Sequence, residues 1–401
     1  MTIPEYDLII VGGGMAGASL AYALKNTSLS IAMIEAYNFQ QDQQPSYDDR
    51  GIALAYGSQR IFEAMGIWSQ LAPHCTAITD IHISDRGHFG VTRLSAQAEK
   101  VPALGQVVTA KALGHVLNNA ISQQHNLVVI SPATVVDLMQ QPDSVTLSLD
   151  NGKHLSTKLV VAADGSHSTI RHLLGLGAFE KDYQQTAITA NISCQRPHNG
   201  KAFERFTDTG PIALLPMSDN RCALVWTVEP EQVASILALS DDDFMAQLQQ
   251  RFGYRLGKLT RVGHRNSYPL KLIQTDQAVQ QRIVLIGNAA HSLHPIAGQG
   301  FNLGLRDVAA LADVLASDHD DCGDARLLHD YQHWRQADQD SVINATSALV
   351  ALFSNTNPVL GHLRAAGLSL LDKIPPAKHL LARKSMGLAQ KQPRLGRGIS
   401  L

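Results

Sequence analysis

The sequence predicts an α/β fold in which a parallel-sheet domain built from strand–helix–strand units is interleaved with a second, β-sheet domain and followed by C-terminal helices. Three observations predict it. The chain opens on a strand–glycine–helix–strand unit, a second Gly-rich loop near residue 300 again runs from a strand into a helix, and the intervening stretch holds many short apolar runs with strand spacing.

The opening unit is the most regular. Tyr6 to Val11 is a buried-strand pattern, Gly12, Gly14 and Gly17 occupy the three positions of G-x-G-x-x-G before an alanine-rich helix, and Ser30 to Glu35 is a second strand ending in an acid. In such a unit Gly12 makes the tight turn, Gly14 lets a pyrophosphate approach the helix N-terminus, and Gly17 lets helix pack on strand. Glu35 can hold ribose hydroxyls. The unit is Rossmann-like, and an acid at the ribose favours FAD or NAD over NADP.

Strand and helix signals then alternate to about Trp68, and a mixed segment through Thr92 has β-like runs such as Ile81 to Ser84. Lys111 to Gln123 has helical spacing, and Leu127 to Val161 reads as successive strands with a turn at Asn151-Gly152. Further strands are expected at Ala187 to Ser193, Pro211 to Pro216 and Cys222 to Val228, with a helix from Asp241 to Phe252. Leu303 to Leu315 and Ala325 to Phe353 read as long helices, the second half exposed. The predicted organisation is a cofactor domain in three parts, 1–70, 99–182 and 273–353. A substrate domain occupies 71–98 and 183–272, and a basic helical tail 354–401.

The second Gly-rich loop, Gly287 to Gly304, follows the apolar strand Arg282 to Ile286. Gly298 and Gly300 permit close backbone approach, and the helix start near Asn302 offers free N–H groups and a positive dipole end to an electron-rich ring such as a reduced flavin.

These two motifs, with Asp164-Gly165 between them, resemble the flavin-dependent aromatic hydroxylases, whose fold is that of p-hydroxybenzoate hydroxylase. Agreement also at Ala202 to Thr207, Leu214 to Asp219, Ser84 to His88 and Ala103 to Val108 points to the ubiquinone-biosynthesis branch, closest to the 2-polyprenyl-6-methoxyphenol hydroxylases. The resemblance implies an FAD site formed by Gly12, Gly14, Gly17, Glu35, Arg50, Gln106, Asp164, Gly287, Asn288, Gly300 and Asn302, with Arg50 on the pyrophosphate. Asn288 stands where the family usually has Asp. It can still accept and donate hydrogen bonds to the ribityl chain, without charge. His294, Pro295, Gly298 and Gln299 are expected to form the face toward the flavin, although a histidine beside proline in a packed loop is more often a hydrogen-bonded structural residue than one that polarises the phenol.

The implied reaction hydroxylates a polyprenylated phenol through a C4a-hydroperoxyflavin, with O2 as co-substrate and no protein nucleophile. Since only one dinucleotide fingerprint is present, NAD(P)H is expected to dock transiently, or a reductase partner to supply electrons. Phe203, Phe206, Pro216 and Met217 are candidate pocket residues. Two alternatives stay open: a flavin reductase or dehydrogenase of an isoprenoid substrate, and a non-catalytic FAD-stabilised subunit. A halogenase is disfavoured because Trp68, Trp226 and Trp334 lie far apart.

Composition sets bounds. The formal net charge of −2 over 401 residues gives no case for nucleic acid. Cys75, Cys194, Cys222 and Cys322 are scattered, so neither a metal site nor a disulfide framework is expected. The chain starts almost at once with the cofactor strand and holds no apolar run of ~20 residues, which leads to the expectation of a cytoplasmic protein. From Pro358 to Leu401 eight Lys or Arg face one acid, Asp372. Such an end suits peripheral contact with an anionic membrane, docking onto other ubiquinone-pathway proteins, or a helix packed on its own domain followed by a solvated tail.

Overall fold

The computed structural model describes residues 5–38, 48–317, 319–353 and 358–401. The expected boundary at 354 lies outside them.

The opening strand Tyr6–Val11 is central in a sheet whose order is Val279–Gln280, Ile283–Leu285, His154–Ala162, Tyr6–Val11, Ile31–Ile34, Leu127–Ile130. All neighbours from Ile283–Leu285 to Leu127–Ile130 pair in parallel. Ile31–Ile34 and Ile283–Leu285, buried throughout, and Tyr6–Val11, buried from Leu8 onward, read there as apolar runs. The helices Met15–Ala23, Ala110–Ile121 and Gln299–Leu315 contribute to the core on one side.

The second sheet has nine strands. Its long strand Ala178–Cys194 pairs antiparallel with Asn266–Thr275 and Arg221–Val228, and the order continues through Gly210–Met217, Lys201–Thr207, Asp80–Asp85 and Val91–Ser95. Helices Pro230–Leu237 and Asp241–Phe252 cover one face, packing Ile236, Phe244, Leu248 and Phe252 on Ile188 and Trp226. The opposite face is open to a cavity.

The interleaving differs from the expected divisions at three points. Strand Ala178–Cys194 begins before residue 183 and Asn266–Thr275 runs past residue 272. The short strand His291–Ser292, inside the flavin loop, pairs with Ile273–Gln274 and stitches the two domains together. A three-stranded sheet of Gly51–Ala55, Gly105–Thr109 and Thr76–Ile78 lies between them.

The C-terminal segment is an integral layer rather than a free tail. Helix Pro358–Lys373 lies on the edge strand Val91–Ser95, where Thr92 Oγ1 donates to Leu368 O at 2.8 Å and the Arg93 N–H to Asp372 at 2.9 Å. Helix Pro375–Ser385 leads Ala382 and Met386 into contact with Leu94, Ala96 and Leu104, and the last turn buries Leu395 in the main core.

Candidate functional site

The glycine turn after Tyr6–Val11 is shaped by its own backbone. Gly12 has φ +103°, and a Cβ there would sit 2.6 Å from Ala163 O, so only glycine fits. A Cβ on Gly17 would lie 1.9 Å from Gly12 O. Gly14 is the N-cap of helix Met15–Ala23, with no side-chain cap and no acid in the first turn, which leaves backbone donors for an anion. Glu35 is 5% exposed and accepts from the Gly13 N–H at 2.6 Å and the Tyr37 N–H at 2.9 Å. Its carboxylate therefore lies against the turn, where a ribose is expected.

Asp164 follows the strand His154–Ala162. One carboxylate oxygen accepts from the Ile170 N–H at 3.2 Å, while the other is buried with no partner among the described residues. Burial raises its carboxyl above the ordinary range, partly offset by hydrogen bonds from Ser168, Ile170 and Thr169.

The second loop is built around left-handed backbone. Ala297 has φ +56° and Gly298 φ +61°; for a non-glycine residue this costs roughly 1–2 kcal/mol, strain that concentrates at functional sites. Gly298 is the N-cap of helix Gln299–Leu315, again with neither side-chain cap nor acid in the first turn. Asn288 is exposed to the cavity, Pro295, Gly298, Gln299 and Gly300 also line it, and a Cβ on Gly300 would meet nothing within 4 Å. Gly287, φ +56°, is buried beside Ala16 of the first helix. Arg50 lines the same cavity, bonded through Nε to Asp48 with its guanidinium 4.9 Å from the Tyr268 ring. Two uncapped helix N-termini, an orphaned buried carboxylate oxygen and open space over Gly300 fit a flavin dinucleotide laid from Glu35 to the loop.

One expectation needs correction, that for His294, and two residues, Asn302 and Gln106, have modest places. Asn302 is 1% exposed, and its amide is fully used. Its oxygen accepts from the Ala55 N–H and Ser58 Oγ, both at 2.7 Å, and its nitrogen donates to Ala53 O at 2.8 Å and Gly298 O at 2.6 Å. It fixes the helix start against the strand Gly51–Ala55, so only its backbone is left for a cofactor. His294 does not face the cavity: it is fully buried, with Nε2 3.2 Å from Gln185 Oε1 and Nδ1 accepting the Ile296 N–H at 3.1 Å. Burial pushes its imidazole down to about 4, so it is neutral at neutral pH and holds the loop's shape. Gln106 donates to Gln59 Oε1 at 3.1 Å.

The cavity of about 1350 Å³ runs from Arg50 and the loop along the open face of the second sheet to the C-terminal helices. Phe203 and Phe206 line it; the expected Pro216 and Met217 do not. Leu352 and Phe353, at the end of helix Ala325–Phe353, and Leu363, Leu371 and Leu381, on the C-terminal helices, continue its apolar lining.

Beneath the loop lies a buried charge network that sequence reading missed. Asp307, fully buried, contacts His291 Nε2 at 2.6 Å and accepts from Arg335 Nε at 2.8 Å and Gln339 Nε2 at 3.0 Å. Asp338 accepts from Arg306 Nε at 2.8 Å and Arg335 Nη1 at 2.7 Å. The legible signal was Arg306-Asp307 inside the apolar run Leu303 to Leu315, since buried charges require partners.

Residues 5–346 match the family described as FAD binding domain. The chain is 36% identical to the ubiquinone hydroxylase UbiL of Rhodospirillum rubrum, over 98% of this chain and 93% of that protein. It is 31% identical to the 3-demethoxyubiquinol 3-hydroxylase of Escherichia coli, over 97% of this chain and all of that one. Among solved structures, the p-nitrophenol 4-monooxygenase PnpA of Pseudomonas putida superposes with a TM-score of 0.79 over 96% of this chain and 98% of that one, at 17% identity, a likeness of fold.

Proposed function

We propose, from the premise that this chain belongs to the ubiquinone-biosynthesis branch of the FAD-dependent aromatic hydroxylases, that it hydroxylates the ring of a polyprenylated methoxyphenol. The observation that carries the substrate reading is the continuous apolar cavity from the flavin loop to the C-terminal helices: one end accommodates a ring, the other a chain of isoprene units leading out between Leu352, Leu363 and Leu381. Bound FAD would supply the activation of O2, with NAD(P)H as its reductant. The protein binds and shields. Arg50 and the uncapped N-terminus of Met15–Ala23 take the pyrophosphate, and Asn288 takes the ribityl hydroxyls. The N-terminal N–H groups of Gln299–Leu315 would stabilise negative charge on a reduced ring, and the apolar sheet face would keep water away.

The test is mass spectrometry of 2-methoxy-6-prenylphenol incubated with FAD-loaded protein, chemically reduced and then mixed with ¹⁸O2. One labelled oxygen in the product is expected; oxidised flavin with unlabelled phenol would refute the reading and favour a reductase.

The same cavity mouth supports contact with a lipid surface. Leu363, Leu370, Ile374 and Leu380 are 61%, 59%, 40% and 55% exposed, with Lys373, Arg383 and Lys384 exposed on the same two helices. No described helix is long and apolar enough to cross a membrane. Vesicles of anionic phospholipid should sediment the protein at low salt, and the Leu363→Asp, Leu370→Asp double variant should stay in the supernatant. Equal sedimentation of both would remove this face from the account.

A further inference from the structure

On the cavity face of the second sheet, one ionisable side chain stands among apolar ones. Glu204 lies mid-strand in Lys201–Thr207, paired with Ile83 on one side and Ala213 on the other, with Val225 one strand further. Strand alternation puts it on the same face as Ala202 and Phe206. It borders both the main cavity and a small recess under Pro295 and Ile296 of the flavin loop. Its carboxyl has no hydrogen-bond or ion-pair partner among the described residues, and burial alone pushes it up to about 7. An unpartnered carboxyl in an apolar wall is costly to the fold and is the kind of group retained for a ligand.

No other titratable group around the cavity pairs with it among the described residues. His294, on the loop packed over it, has both ring nitrogens bonded and is neutral. Arg364, on the helix across the cavity, faces Asp85 at 3.4 Å and donates to Leu352 O at 2.8 Å. Asp48, Asp49, Arg50, Lys111, Tyr268, Lys271 and the solvent-exposed His264 line the remaining wall. None of them contributes to the shift of Glu204.

Resting on the hydroxylase reading, we infer that Glu204 receives the proton of the substrate's phenolic hydroxyl. As the ring carbon is oxygenated the O–H bond breaks, the proton passes to a Glu204 carboxylate oxygen, and the electron pair of that bond moves toward the ring, enriching the carbon under attack. The ionised carboxylate is the competent form. Below about pH 7 Glu204 is already protonated and cannot accept, so turnover rises as pH climbs through that value.

The experiment compares wild type, Glu204→Gln and Glu204→Asp, all FAD-loaded, with 2-methoxy-6-prenylphenol. In the oxidised enzyme, where no turnover occurs, binding of the phenol, read by the change in flavin absorbance, should tighten in wild type as pH rises through about 7, when the Glu204 carboxylate can accept the phenolic hydrogen bond. In Glu204→Gln that pH dependence of binding should be absent. In turnover, kcat should fall roughly 10²- to 10⁴-fold in Glu204→Gln with loss of the rising limb, and Glu204→Asp should restore part of both. Unchanged FAD titration in Glu204→Gln certifies the fold. A pH-dependent binding and a rising kcat limb that persist in Glu204→Gln overturn the proposal even if labelled product forms. Glu204-dependent binding without labelled product would instead uphold Glu204 as the phenol's partner and sink the hydroxylase reading.

Discussion

Asp307→Ala is expected to lower the unfolding free energy by about 3–5 kcal/mol, the range for removing one partner of a buried ion pair. The reason lies in what remains. Arg335 would keep Asp338 but lose the 2.8 Å bond from its Nε, His291 would lose its 2.6 Å partner, and Gln339 its 3.0 Å acceptor. His291 sits in the strand that stitches the flavin loop to the second sheet, so FAD affinity should drop as well. Urea unfolding of apo and FAD-loaded protein reads both effects, and a loss below about 1 kcal/mol would show that the network does not hold the loop.

The same network sets an acid limb. Burial pulls the Asp307 carboxyl upward, but the His291 and Arg335 charges and hydrogen bonds outweigh it and hold it well below the usual carboxylate range. Its contribution is therefore complete above the unfolded value near ~4 and is lost as pH falls below that toward the folded value. Asp307→Ala should flatten this acid limb.

What the sequence made legible follows from the range of the interactions involved. The opening unit could be read because glycine spacing, strand and acid are all local, and the helix Ala325–Phe353 has the bounds its periodicity predicts. The network could not be read, because Asp307 and Arg335 lie 28 positions apart and meet only when two helices pack. That packing also explains why Arg335 and Asp338, polar residues on a helix expected to be half exposed, are buried. The side-chain role of Asn302 was out of reach for a related reason: an amide near a helix start can serve a ligand or the backbone, and only the third dimension shows Ala53, Ala55 and Gly298 around it. The three short strands of the middle sheet, such as Thr76–Ile78, carry too few residues for a period. Glu204 was visible in principle, as an acid breaking the apolar alternation Ala202, Glu204, Phe206, but its isolation from partners is a tertiary fact.

Two glycine substitutions separate glycine required by the fold from glycine required by the ligand. Gly17→Ala puts a methyl 1.9 Å from Gly12 O and 3.2 Å from Ile10 Cγ2, so the helix must move off the strand. Such overpacking costs roughly 1–3 kcal/mol or more, and because it also shifts the Gly12 to Gly14 turn, apo stability and FAD affinity should fall together. Gly300→Ala adds the same methyl in the first turn of Gln299–Leu315, where nothing lies within 4 Å. With no protein atom in the way, alanine's helix propensity should hold or raise apo stability, by up to about 1 kcal/mol. FAD affinity should nevertheless fall, roughly ten- to hundredfold if the methyl costs the bound flavin what overpacking costs a core. Thermal unfolding of the apo proteins and flavin fluorescence titration give the two coordinates. Opposite signs for Gly300→Ala mark the space over Gly300 as the flavin's, whereas unchanged FAD affinity would move the flavin elsewhere in the cavity and with it the assignment of Pro295, Gly298 and Gln299.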